Sequence, residues 1–195
     1  MTTSGRIELM APAGNFESMQ AALDNGCDSI YFGVEQLNMR ARATVNFVLD
    51  DLPEIARRCN EKNVRTYLTL NTIIYDHDLS IVKTLLTKAK EAGITAVIAS
   101  DQAVIMTART IGIEVHISTQ LNVTNIETVK FYAMFADTIV LSRELSLRQV
   151  KKITEDIEKE QVKGPSGNLV EIEIFGHGAL CMAVSGKCYL SLHSH

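Results

Sequence analysis

Two cysteines, Cys181 and Cys188, stand seven positions apart in a glycine-rich stretch that runs from Gly176 through His177, Gly178 and Gly186 to Ser191. Thiolates seek a metal, a cluster or a disulfide partner, and glycines beside them let backbone close on a bound group. The spacing is longer than the Cys-x-x-Cys of common zinc ribbons. It could supply two of the four thiolates that an iron–sulfur cluster needs. Two other sets stay open. His193 and His195 would complete a zinc site within the tail, and His177 with Cys181 would make a base–nucleophile dyad. There is no His-Glu-x-x-His zinc helix and no Gly-x-Ser-x-Gly nucleophile elbow.

Those cysteines need a scaffold, and the chain is long enough to build one. It has 195 residues, 46% apolar and 22% charged, the balance of an ordinary globular domain with a core. The net charge of -4 gives no basic footprint, so any RNA contact falls to a local patch or a region beyond this sequence. No apolar run reaches the roughly 18 residues that span a bilayer. The opening Met-Thr-Thr-Ser-Gly-Arg lacks the apolar centre of a signal peptide, which leads us to expect a cytoplasmic protein. In that reducing compartment the four cysteines do not imply disulfides. Cys27, ahead of a strand, and Cys59, on a helix face with Leu52, Ile55 and Ala56, read as small buried hydrophobes.

Short β-branched runs alternate with amphipathic helical patterns. The expected strands are Ile7–Met10, Ser29–Phe32, Arg65–Leu70, Ala96–Ala99, Glu114–Ile117, Thr138–Leu141 and Glu171–Phe175. The expected helices are Phe16–Asn25, Leu52–Lys62, Leu79–Ala92, Gln102–Ile111, Ile126–Phe135 and Leu145–Lys159. Asn15, Asp78, Asp101 and Asn125 suit N-caps, and Gly93 and Gly112 suit helix stops. Leu79, Val82, Leu85, Leu86 and Ala89 form one apolar stripe for core packing. The polar loop from Glu160 to Asn168 reads as a loop within one domain over residues 1–195. Repeated βα units imply a parallel sheet with helices outside, as a (β/α)8 barrel or an open doubly wound sheet. The regular repetition favours the barrel, and Ala11-Pro-Ala-Gly14 replaces a dinucleotide-binding glycine motif after the first strand. About seven units without an eighth lead us to expect a barrel that stops before closure, with uncovered strand edges suited to homodimer formation.

In a barrel, chemistry gathers at the C-terminal strand ends. Those ends carry Pro12 and Gly14; Asn38, Arg40 and Arg42; Asn71; Ser100 and Asp101; Ser118, Thr119, Gln120 and Asn122; Ser142, Arg143 and Glu144; then His177, Gly178 and Cys181. Amides, hydroxyls and arginines of this kind suit an anionic, oxygen-rich small molecule. We take Arg143, Glu144 and His177 as candidate catalytic residues. Arg40, Asn71, Gln120 and Arg143 are the candidate substrate-binding residues, with Cys181 and Cys188 for metal. Plain roles compete: Asp101 and Asn125 serve as caps, Arg143 and Glu144 form a local ion pair, and His116 sits as a satisfied core histidine.

The stretch Glu173-x-Phe175-x-x-Gly178-Ala179-Leu180-Cys181-x4-Gly186-x-Cys188-x-Leu190-Ser191 resembles the signature of peptidase family U32, the collagenase-like peptidases. Supporting pieces are Glu8-Leu-Met-Ala-Pro12-Ala-Gly14, Tyr31-Phe-Gly33, Asn38-x-Arg40-x5-Asn46-Phe47, Ser118-Thr-Gln120-Leu-Asn122 and Leu141-Ser-Arg143-Glu144-Leu145. The resemblance implies a TIM-like N-terminal barrel and, in some members, a 4Fe–4S cluster on four cysteines. Cys181 and Cys188 would be its first two ligands; the other two would follow downstream, and this chain reaches His195 before another cysteine. The family includes proteins named as proteases after a collagen-degrading member. It also includes proteins of oxygen-independent, prephenate-linked hydroxylation acting on tRNA, rRNA or a ubiquinone precursor. In the hydroxylation reading, Arg40 and Arg143 would anchor a dicarboxylate such as prephenate. In the peptidase reading, the partner is a peptide substrate.

Overall fold

The computed structural model describes residues 7–34, 47–178 and 183–186. Its centre is one sheet of seven strands in sequential order, every neighbouring pair parallel. The strands are β1 (Met10–Pro12), β2 (Ser29–Phe32), β3 (Arg65–Leu70), β4 (Ala96–Ala99), β5 (Glu114–Ile117), β6 (Thr138–Val140) and β7 (Glu171–Glu173). Six α-helices fill the crossovers: α1 (Phe16–Asp24), α2 (Leu52–Glu61), α3 (Leu79–Ala92), α4 (Gln102–Ile111), α5 (Ile126–Ala133) and α6 (Leu147–Glu160). This strand order is half of a TIM-like barrel curling on itself, which excludes the doubly wound alternative, where the order reverses midway.

Alternation along the strands divides the sheet into two unlike faces. Ile30, Phe32, Leu68, Leu70, Val97, Ala99, Val115, Ile117 and Ile139 turn outward and are buried with helix residues such as Met19, Ile55, Val82, Leu86, Val104, Val129 and Ile153. The opposite face carries a separate small cluster, Tyr67, Ala96 and Ile98 with Met10 and Tyr31. That cluster lies inside the curl.

Local chemistry sets the element ends. Asn15 and Ser18 make a reciprocal capping box that opens α1, satisfying amides a first helical turn leaves free. Asp101 accepts from the Ala103 amide at 2.8 Å, and Asn125 from the Thr128 amide at 3.0 Å. Gly93 and Gly112 close α3 and α4 in the left-handed region, where a side chain would be strained. Asp78 stands at the N-cap position of α3 as expected, but its carboxylate takes the Tyr75 amide at 3.0 Å instead of a first-turn amide and braces the preceding single turn. Helix α6 begins at Leu147 behind a Ser146 cap, two residues later than the apolar pattern suggests. The first strand is Met10–Pro12 rather than Ile7–Met10, with Ile7 and Leu9 exposed. Leu79 also departs from the buried stripe of α3 and is exposed. The loop before β7 is pinned, since the Asp137 carboxylate accepts both the Ser166 amide and its hydroxyl.

Candidate functional site at the barrel mouth

The C-terminal strand ends converge as the barrel geometry requires, and the loop after β6 does most to organise them. Arg143 and Glu144 leave the sheet there and reach the segment between Cys181 and Cys188. The Ser185 amide donates to Glu144 Oε1 at 2.8 Å, and the Arg143 guanidinium donates to the Ala183 carbonyl at 3.2 Å. The Arg143 amide closes the pair by donating to Ser185 Oγ at 3.4 Å. Ser185 is 1% exposed, so the loop is seated into the protein. Burial alone would raise the Glu144 carboxyl, but the Ser185 amide and hydroxyl with Arg143 outweigh it and hold the group below the usual carboxylate range.

Gln120 supplies the floor of that seat. A Cβ on Gly186 would lie 2.2 Å from the Gln120 carbonyl oxygen, and Gly186 has φ +73. Both facts require glycine at this position. Gln120 is itself placed by a tight turn: its amide donates to Ser118 Oγ at 3.3 Å, and Asn122 takes φ 54 to end the turn. Ser142 then donates to Asn122 Oδ1 at 2.6 Å, joining the β5 and β6 ends. Gln120, Arg143 and Glu144 therefore meet around one loop.

Other candidates stand apart or fall elsewhere. Asn71 is half-buried at the end of β3, and His177 is exposed beyond β7. Arg40, Cys181 and Cys188 lie outside the described residues. Asp101 caps α4 and also takes the Ile74 amide at 3.3 Å, tying the β3 loop to the β4 end. Cys27 and Cys59 are buried in the core between helices and sheet, and burial pushes the Cys59 thiol up to about 11. Their place in that core, not at the strand ends, keeps both thiols away from a group at the mouth. Among the described residues no thiol therefore stands at the mouth; in sequence Cys181 and Cys188 flank the Ser185–Gly186 seat.

Sequence reasoning missed a second polar group, inside the curl. His116 on β5 is 4% exposed, and its ring packs against Tyr67 of β3 with centroids 4.5 Å apart. Its Nε2 faces Glu114 Oε1 at 3.2 Å, while Nδ1 has no partner among the described residues. The expected satisfied histidine is therefore satisfied on one side. Glu173, the last residue of β7, buries Oε2 without a partner among the described residues. The available signal was parity: Glu173 alternates with Ile172, which packs on the outer core.

Comparison with known proteins matches residues 14–195 to the family model described as Peptidase family U32. The chain belongs to peptidase family U32. It is 55% identical over 97% of its length to a collagenase of Porphyromonas gingivalis, covering 46% of that protein. It is 31% identical to tRNA hydroxylation protein P1 of Bacillus subtilis, over 95% of this chain and 42% of the relative. A 23S rRNA 5-hydroxycytidine synthase of Escherichia coli is 33% identical, over 97% of this chain and 27% of its own. The U32 chain thus spans less than half the length of these relatives. A solved U32 peptidase structure has the same fold, with TM-score 0.64 at 15% identity, covering 89% of this chain and 70% of that one. No helix among the described residues is long and apolar enough to cross a membrane.

Proposed function

We propose that this U32 chain is the barrel half of an iron–sulfur-dependent hydroxylating enzyme acting on RNA or a small molecule. Cys181 and Cys188 give two thiolates to a 4Fe–4S cluster, and Arg40 with Arg143 anchors a small dicarboxylate such as prephenate. The observation that carries the reading is the seat of the cysteine loop. Glu144 and Arg143, both strand-end residues, hold Ser185 and Ala183 between the two thiol positions. A loop held so at the barrel mouth can present two thiolates where substrate enters. When bound, the cluster supplies redox chemistry or substrate activation; the chain's own residues orient the loop and bind the acid. The relatives named for tRNA hydroxylation and rRNA hydroxycytidine synthesis support RNA as the substrate class. The reducing cytoplasm expected from the sequence suits such thiolates. Exposed Ile7 and Leu9 near β1, and Ile174 and Phe175 after β7, would be covered in a homodimer.

Peptide hydrolysis is the second reading, favoured by the identity of 55% to the Porphyromonas gingivalis collagenase. One experiment separates the two. The full-length protein carrying this chain is purified without oxygen, and iron, acid-labile sulfide and cleavage of denatured collagen are measured beside Cys181→Ala. About four iron and four sulfide per chain, lost in the variant, supports the cluster enzyme. An iron-free protein that cleaves collagen overturns it.

A further inference from the structure

The inner face of the curled sheet holds a layer of titratable groups that the mouth site does not use. In a (β/α)8 barrel, side chains from alternate strands share a layer. Here β3, β5 and β7 contribute Tyr67, His116 and Glu173, with Glu114 one step below His116. The hydrogen bond from His116 Nε2 holds the Glu114 carboxyl below its usual range, against the opposing effect of burial. Glu114 is therefore the acceptor, Nε2 carries the shared hydrogen, and in the neutral ring Nδ1 is a bare acceptor. That nitrogen is buried and unpartnered among the described residues, as is Glu173 Oε2. Burial raises the Glu173 carboxyl above the ordinary carboxylate range, opposed by the nearby His116. An oriented acceptor and a carboxyl raised above its ordinary range, both buried and unpartnered among the described residues, are the two halves of an acid–base pair.

We propose that Glu114, His116 and Glu173 form an acid–base site inside the barrel that takes the hydroxyl or hydroxy-carbonyl end of a small molecule. The ligand hydroxyl donates to His116 Nδ1, and the Glu173 O–H donates to a ligand oxygen. His116 Nδ1 accepts one hydrogen bond and Glu173 donates the other, so the pair orients the ligand end with no net transfer of a proton. Glu114 is a positioning residue that fixes the imidazole. The end that enters is uncharged. The groups facing the site are Glu114 and His116 on β5, Tyr67 and Arg65 on β3, Glu171 and Glu173 on β7, and Glu8 ahead of β1. Arg65 is already paired with Glu8, which also accepts from the Tyr67 hydroxyl at 2.8 Å. Carboxylates outnumber free cations there, so an anionic end is repelled toward the mouth. The neighbouring inward residues Met10, Tyr31, Ala96 and Ile98 offer apolar walls to the carbon frame.

The test follows the Glu173 carboxyl carbon and the His116 ring nitrogens by NMR in the isotopically labelled chain, from pH 4 to pH 9. Hydroxyacetone is the probe, with lactate, a hydroxy acid of the same carbon number, as the anionic control. The expected result is a Glu173 carboxyl that titrates above free glutamate, and a His116 ring whose Nε2 carries the hydrogen shared with Glu114. Hydroxyacetone should shift both resonances, lactate neither, and Glu173→Leu should remove the response of His116. Glu173→Gln, which keeps shape and a donor, should retain it and serves if the leucine variant fails to fold. Ordinary Glu173 titration, or resonances that ignore hydroxyacetone, overturns the proposal. Iron and sulfide content is indifferent to Glu173→Gln, so failure of the cluster reading leaves this one standing.

Discussion

Glu144 accepts the Ser185 amide at 2.8 Å across 41 residues of chain, fastening the segment between two cysteines to a strand end on the far side of helix α6. The bond is charge-assisted, the stronger kind, though Glu144 is exposed and water screens it. Glu144→Ala should cost on the order of 1 kcal/mol of local stability. Amide hydrogen exchange at Ser185 should accelerate several-fold while the core strands keep their protection. Glu144→Gln, which retains an acceptor oxygen, should fall between. Unchanged exchange in both variants would remove Glu144 from the seat.

The same carboxyl sets an acid limit. Its folded value lies below the ordinary 4.5, so its contribution is complete above pH 4.5 and fades as pH falls through the folded value. Ser185 protection should stay level from neutral pH to about 4.5 and drop only in stronger acid. Glu144→Gln should show no such step. A step in the variant, or one above pH 5 in the parent chain, would contradict the assignment.

Gly186 gives a steric prediction. Its φ of +73 and the 2.2 Å approach of a built Cβ to the Gln120 carbonyl act together. The conformation alone costs a side chain roughly 1 kcal/mol, and the backbone carbonyl cannot swing aside as a side chain would. Gly186→Ala should unseat the loop, abolishing the Ser185 protection that Glu144→Ala only weakens. The global unfolding midpoint should change little, because the sheet core does not depend on this loop. A variant with normal Ser185 exchange would show that the loop rests elsewhere.

What the sequence made legible follows from the range of each interaction. Strands β2 to β5 and helices α3 and α4 match their expected bounds because local signals agree: β-branched runs, the Asp101 cap of α4, and the glycine stops of both helices at positive φ. Errors fall where a distant partner decides. Leu9 and Ile7 look like strand, yet ladder pairing begins at Met10 opposite Ser29. Arg143 and Glu144 were identifiable as strand-end polar residues, but their engagement of Ala183 and Ser185 depends on a crossover of 40 or more residues. Glu173 stood in the signature without a role, since only the curl, with β5 and β7 flanking β6, turns its carboxyl to the same inner face and within electrostatic reach of His116.

The two core thiols offer a check on the division of labour among cysteines. Burial raises both, Cys59 to about 11. At neutral pH they should resist a thiol reagent in the folded chain and react fully once urea unfolds it. Cys59→Ser should destabilise by about 1–3 kcal/mol, because it places a hydroxyl among apolar neighbours. Rapid labelling of Cys27 or Cys59 in the native chain would show that the core opens more readily than its packing implies.

Glu173 makes a stability prediction of opposite sign to Glu144. Its folded value is raised, so the unfolded chain loses its proton first as pH climbs. Stability associated with this group is therefore whole below 4.5 and falls as pH rises from there through the folded value. Glu173→Gln removes the ionisation and keeps the shape. The variant should match the parent near pH 4 and exceed it at pH 7.5, the gap opening with pH as measured by urea midpoints. Glu114→Gln should behave in reverse, since the His116 bond lowers that carboxyl and lends stability at neutral pH that acid removes. A Glu173→Gln variant that tracks the parent at every pH would place the carboxyl in water, and would take with it the acid half of the site inside the barrel.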